Sequence, residues 1–275
     1  IILLLRIIPK NLVSYLVGLL VRIKLPKPLA LFAHRWFVHS FSIDMTEAEK
    51  PLKEYKSIED VFTRKLKKSA RPISQEPYCS PSDSILTTNR AIKDNQDVFE
   101  IKKTNYSVAE LAGETLVSPA WISVFYLAPH NYHRVHSPLD GVVHWVKHIP
   151  GALWPVNPAF LKYLPTLFNK NERLVFKIET QNKGTVFLVM VGALNVGRMT
   201  TPLSKTIISN NKHFSKEFQE RLIPPVVIRK GEEIGTFMMG STVIMLFDQK
   251  ALESLGALPT RKAEGNPVVV GESLL

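Results

Sequence analysis

Three segments carry residue types whose spacing could do chemistry. In Pro129-His-Asn-Tyr-His-Arg-Val-His-Ser-Pro138 the histidines His130, His133 and His136 recur at every third position. On a helix or tight turn, residues three apart share a face and could hold a metal ion. No Asp, Glu or Cys accompanies them nearby, and Pro129 and Pro138 oppose a continuous helix, so no metal is expected. In an extended segment His133 and His136 point to opposite faces, leaving one for a site and the other for the core. A histidine near neutral pH is the usual general base. The plainer alternative is that all three are structural or surface residues.

The second segment places Gly240-Ser241-Thr242 between two apolar runs, Gly235–Met239 and Val243–Phe247. A glycine turn is the simplest reading. A glycine directly before a serine also allows a sharper one. Without a Cβ, Gly240 leaves its carbonyl carbon open to the Ser241 hydroxyl and tolerates the strained backbone such an attack requires. Attack would turn the peptide bond into an ester, an N→O acyl shift that applies serine nucleophilic chemistry to the chain itself. The third segment is Ser80-Pro-Ser-Asp83-Ser84. Asp83 reads first as a turn former. Beside a serine and a histidine it would fix the orientation and tautomer of the base. Asp83, His136 and Ser241 are therefore a permitted constellation, whose convergence a fold must supply.

The surrounding chain indicates which elements would do this. It has 275 residues, 45% hydrophobic and 21% charged, which suits one large domain with an appended segment. The lone Cys79 excludes an intrachain disulfide framework and a Cys₄ zinc site. The net charge of +11 favours a polyanionic partner, nucleic acid or an acidic membrane face. The surplus is concentrated: residues 1–43 hold Arg6, Lys10, Arg22, Lys24, Lys27 and Arg35 but no acid. Their longest uncharged run, Asn11–Val21, has eleven residues. That falls short of the about 20 needed to cross a bilayer. No small-residue cleavage site of a signal peptide follows. Pro9, Pro26 and Pro28 should divide the segment into short amphipathic helices lying at a membrane surface. Residues 44–70 read as polar and helical, with Ser57 capping and Asp60 at N3. Beyond residue 71 short apolar strands alternate with turns: 121–127, 141–149, 174–178, 185–191, 226–228 and 242–247. Residues 204–222 read as a polar excursion. The expected architecture is α+β: a mainly antiparallel β core, residues 71–275, preceded by a helical membrane-associating region, residues 1–70.

Taken together, the segments resemble the phosphatidylserine decarboxylase family. The resemblance rests on Arg71-Pro-Ile73, the Asp83 turn, Asn105-Tyr-Ser107, Tyr132-His-Arg-Val-His136, Asn171-Glu-Arg173, Val191-Gly-Ala193 and Gly240-Ser-Thr242, in that order. It implies a proenzyme that cuts itself between Gly240 and Ser241, with His136 as base and Asp83 orienting it. The products would be a β chain, 1–240, and an α chain, 241–275, the latter opening on a pyruvoyl group made from Ser241. That covalent cofactor would form a Schiff base with the amine of phosphatidylserine, release CO₂ and yield phosphatidylethanolamine, with His133 as the candidate proton donor to the α-carbon. The resemblance further implies peripheral attachment to the cytoplasmic face of the cell membrane. Self-association into a homodimer stays open.

Two positions depart from the family pattern: Ser84 where glycine is usual after the Asp, and Met239 where leucine is usual. Ser84 alone supports the alternative, a maturation-defective membrane-surface module of the same fold. An ordinary Ser-His-Asp hydrolase would want a Gly-x-Ser-x-Gly elbow, which is missing. Nucleic-acid binding has only the net charge behind it, with no recognition-helix or aromatic sheet motif.

Overall fold

A computed structural model describes residues 7–93, 98–101, 104–157, 160, 164–194, 198–210, 216–238 and 241–275. The N-terminal prolines divide that region as expected. Helix α1 (Lys10–Val21) starts after Pro9, and helix α2 (Lys27–Ser40) starts after Pro26 with Pro28 in its first turn. Residues 44–70 are less helical than their polar pattern suggests. They form a 3₁₀ turn (Leu52–Glu54), the five-residue helix α3 (Ile58–Phe62) and an isolated bridge between Ala48 and Leu66. Pro51 lacks the N–H a helix interior needs, which limits helix length there. Ser57 does cap α3, its hydroxyl accepting from the Asp60 N–H at 3.1 Å. Phe37, Ile43, Tyr55, Val61 and Phe62 form a small apolar cluster that ties α2 to α3.

The main sheet has eight strands in antiparallel array. In chain order they are β1 (Ser84–Ala91), β4 (Pro119–Leu127), β6 (Gly141–Ile149), β7 (Arg173–Glu179), β8 (Thr185–Val191), β11 (Phe218–Ile228), β13 (Ser241–Asp248) and β14 (Pro267–Val268). Their order across the sheet is β11-β6-β7-β8-β13-β4-β1-β14. The runs in β8 and β13 are continuously apolar because both faces of the sheet are covered. Val243, Met245 and Phe247 enter one core with Leu188 and Phe176. Ile244 and Leu246 enter the other with Phe187 and Val189. Alternation along a strand sends successive side chains to opposite faces.

The supposed polar excursion at 204–222 is instead largely sheet: β10 (Ser204–Ile208) and the start of β11. Strand β11 lies at the edge, paired on one side only, so its outward residues stay wet and its sequence stays polar. A second sheet, β10-β9-β12-β5, holds β5 (Arg134–His136), β9 (Met199–Thr201) and β12 (Glu233–Phe237). A hairpin of β2 (Val98–Ile101) and β3 (Thr104–Ser107) completes the strands. The motif Asn171-Glu-Arg173 is structural. Asn171 Nδ2 donates to the carbonyls of Trp154 and Gly192, and Arg173 donates to those of Leu111 and Asn169.

Candidate active site

The register of the main sheet brings two of the expected residues to one end. On β4, Tyr126 is opposite Ile85 of β1 on one side and Thr242 of β13 on the other. Ser241, opposite Leu127, opens β13. Asp83 immediately precedes β1. With strands about 4.8 Å apart, the backbones of the two residues flank β4 at roughly 10 Å. Gly240 lies outside the described residues, as does Met239.

His136 ends β5 and joins the same region through its backbone, whose N–H donates to the Pro81 carbonyl at 2.9 Å. Its ring is held at both nitrogens. Nδ1 lies 2.7 Å from the Gly231 carbonyl, and Nε2 lies 3.1 Å from the Tyr132 hydroxyl. Since a carbonyl can only accept, Nδ1 carries the proton and Nε2 presents its lone pair to the Tyr132 O–H. Burial lowers the His136 pKa, opposed in part by the Gly231 hydrogen bond. The ring is thus held as the neutral Nε2 base. The orienting carbonyl depends on glycine: Gly231 has φ +86°, and a Cβ there would meet Ile73 at 2.8 Å. Ile73 is also packed against Gly271, which gives Arg71-Pro-Ile73 a mechanical meaning.

Asp83 is buried, and its hydrogen bonds go elsewhere than to His136. Arg71 donates from Nε to Oδ1 at 2.9 Å and from Nη2 to Oδ2 at 2.6 Å, while the Val270 N–H donates to Oδ1 at 2.9 Å. The same guanidinium pairs with Glu47 at 2.8 and 2.9 Å. The carboxylate holds both of these groups and still acts on His136 by charge. Ser84 is buried with an ordinary negative φ, and its hydroxyl donates to the Ser82 carbonyl at 3.3 Å. The turn therefore does not require glycine, and the maturation-defective alternative loses its support.

The three histidines do not converge. His130 is exposed, whereas His133 is completely buried. The His133 ring packs on Phe62 with centroids 3.9 Å apart, and its Nδ1 donates to the Asn131 carbonyl at 2.8 Å. Burial is the main cause that pushes its pKa down to about 3. Among the described residues its Nε2 is buried with no partner, as is Thr242 Oγ1. Buried polar atoms left open are the condition of a site whose groups are satisfied by something bound. The Phe237 N–H donates to the His133 carbonyl at 3.0 Å, so His133 sits against the end of β12 nearest Ser241. Sequence reasoning missed Tyr132 and Gly231. The pairing of β5 with the 229–233 turn brings Gly231 to His136, while Tyr132 reaches it from four residues earlier on the same segment.

The family model for phosphatidylserine decarboxylase matches residues 58–275. A protein of Anaeromyxobacter sp. (strain K) named phosphatidylserine decarboxylase proenzyme is 36% identical over 98% of this chain and 95% of its own length. Proteins of the same name from Herminiimonas arsenicoxydans and Coxiella burnetii (strain Dugway 5J108-111) are 35% and 38% identical. They cover 87% and 82% of this chain, and 81% of their own length in each case. With the fold and the match running together through the catalytic region, this chain belongs to the phosphatidylserine decarboxylase family.

Proposed function

We propose that the chain is a proenzyme that cuts itself between Gly240 and Ser241 and then converts phosphatidylserine to phosphatidylethanolamine and CO₂. The family membership supports the activity. The observation that carries the residue assignment is the neutral His136, its Nε2 lone pair facing the Tyr132 hydroxyl and its backbone tied to the Pro81 carbonyl of the Asp83 turn, which lies across β4 from Ser241.

In this reading His136 Nε2 takes the proton of the Ser241 hydroxyl as the oxygen attacks the Gly240 carbonyl carbon. The C–N bond breaks, an ester forms, and residue 241 gains a free amine. Loss of the α-proton of residue 241 then expels the Gly240 carboxylate. The dehydroalanine left behind is hydrolysed to a keto group with release of ammonia. Asp83 is a positioning residue. Its carboxylate, through Arg71 and the Val270 N–H, steadies the turn whose Pro81 carbonyl accepts the His136 N–H. The open Thr242 hydroxyl can donate to a carbonyl oxygen at residue 241, and the bare His133 Nε2 can accept from the substrate amine. The pyruvoyl group supplies an electrophilic carbonyl that binds the substrate amine and accepts the electron pair released with CO₂. The aromatic face of Phe62 and the buried imidazole of His133 give the serine carboxylate poorly solvating surroundings. His133 Nε2, which carries no proton of its own, takes one from the substrate ammonium and returns it to the α-carbon.

Attachment to lipid is the second part of this reading. Leu12, Leu16, Leu19 and Leu20 form one stripe along α1, and all are exposed, while the buried residue of that helix is Ser14. On α2, Ala30, His34 and Phe37 face inward, whereas Leu29, Phe32 and Trp36 are exposed. Apolar stripes turned outward from a basic segment suit an anionic lipid surface. No described helix is long and apolar enough to cross a membrane. A peripheral position on the anionic cytoplasmic leaflet satisfies both features.

Ser241→Ala is the test. The variant should run as one intact chain and release no CO₂ from phosphatidylserine, whereas the wild type gives two chains, the smaller blocked at residue 241 and reactive toward hydrazine. Decarboxylation by the uncut variant would defeat this reading.

A further inference from the structure

Arg64, just beyond α3, is a buried cation without a counterion among the described residues. It is 4% exposed. Among those residues Nε and Nη1 have no hydrogen-bond partner, and Nη2 reaches the His130 carbonyl at 3.3 Å. The carboxylates whose charge it feels are committed elsewhere: Asp83 to Arg71, and Asp44 to Thr46. A guanidinium in this state is strongly destabilising unless an anion completes it. Nη2 has a second N–H, which with the open Nε–H or Nη1–H beside it makes a planar fork that matches an oxyanion.

The surroundings indicate which oxyanion. The neighbouring Thr63 carbonyl accepts from Arg134 Nε at 2.9 Å, which ties this strip to the His133 segment. Phe62 packs on one side against His133 at 3.9 Å and on the other against Phe37 of α2 at 6.3 Å. Arg64 therefore follows a bridge between the outward apolar helices and the candidate chemistry. A glycerophospholipid has the same order: acyl chains, then phosphodiester, then the serine amine and carboxylate. We propose that Arg64 is the subsite for the phosphodiester of the substrate headgroup. The carboxylate is the poorer match, because a guanidinium on it would stabilise the very charge that decarboxylation must disperse and so raise the barrier. The phosphodiester keeps its charge through the reaction, and holding it helps substrate and transition state alike. The site is closed in this structure, and the long bond to the His130 carbonyl is the hydrogen bond on Arg64 that entry must displace.

This inference rests on the reading that decarboxylation occurs at residue 241 beside His133, and it is tested separately from it. Thermal unfolding of the mature wild type would be followed with soluble glycerophosphoserine, glycerophosphoethanolamine and free serine. Both phosphodiesters should raise the midpoint, and serine should not. Arg64→Gln, isolated as two chains, should lose both shifts and raise the KM for phosphatidylserine in mixed micelles at least tenfold. Without ligand its midpoint should equal or exceed that of the wild type, since a purely structural arginine would instead leave a less stable protein. Three results would overturn the assignment: no shift by either phosphodiester in the wild type, shifts that persist in Arg64→Gln, or shifts by serine and glycerophosphoserine alone, which would move the guanidinium to the carboxylate. Should Arg64→Gln not fold, the wild-type pattern decides by itself. Failure of the underlying function would show differently, as absent chain cleavage or absent CO₂ release in the wild type.

Discussion

At the scale of single residues, the candidate base is defined by what holds it. Gly231 fixes the proton on His136 Nδ1, and burial keeps the ring neutral. Protonation would abolish the Nε2 lone pair, so cleavage should be lost only when pH falls through the lowered pKa. Self-cleavage of refolded precursor, followed by denaturing electrophoresis, should be flat from pH 8 to 6.5 and fall below that. A rate already halved above pH 6.5 would contradict a buried neutral base. His136→Ala should leave the precursor intact. Asp83→Asn removes charge-assisted bonds to Arg71 and should cost about 2 kcal/mol in urea unfolding. It should also slow cleavage, whereas an unchanged rate would detach Asp83 from maturation. At this scale the residue types were legible, because a Gly-Ser step and clustered histidines can be read directly from the chain, while their roles are proposals. Arg64 and Tyr132 were not, since their meaning lies in the partners they have or lack.

At the scale of elements, periodicity worked where both sides of the pattern had a physical cause. The prolines placed the starts of α1 and α2, and the apolar runs placed β8 and β13. It failed at 204–222, where an edge strand carries polar residues because solvent takes the place of a neighbour. It also failed to say which way the N-terminal helices turn, since an apolar stripe looks the same facing protein or lipid. The outward direction of Leu20 and Trp36, 64% and 60% exposed, gives a test. Replacing both with Glu should weaken binding to anionic vesicles, read by co-sedimentation, by at least ~100-fold, from loss of about 1.5–3 kcal/mol for each buried apolar side chain. Cleavage into two chains should persist. Undiminished vesicle binding would remove these helices from the membrane.

At the scale of the whole molecule, β13 is paired to β8 on one side and β4 on the other, well inside the sheet. The proposed cut before Ser241 would therefore sever the chain without opening the core. Met245 and Phe247 remain in one core, and Ile244 and Leu246 in the other. The two chains should co-migrate under native conditions at any dilution and separate only in denaturant; dissociation on dilution would contradict this packing. The buried His133 adds an acid limit. It has a pKa of about 3 when folded and about 6.5 when unfolded, so the unfolded state binds the extra proton. Its contribution to stability is complete above pH 6.5 and is lost as pH falls toward 3. His133→Asn should flatten the decline of the melting midpoint across that window.

The sequence by itself determined the chemistry on offer, the division into a basic apolar region and a β-rich region, and the family, because each rests on residue types in local order. The tertiary structure decided which groups meet. Asp83, His136 and Ser241 lie far apart along the chain; strand register brings Asp83 and Ser241 to one end of a sheet, and a backbone bond to Pro81 ties His136 to the Asp83 turn. The packing of the segments outside that sheet gave Asp83 to Arg71, gave the His136 proton to a glycine carbonyl, and left Arg64 buried with open donors among the described residues. Hydrogen bonds act over about 3 Å. No spacing in the chain encodes such a distance until the strands are paired.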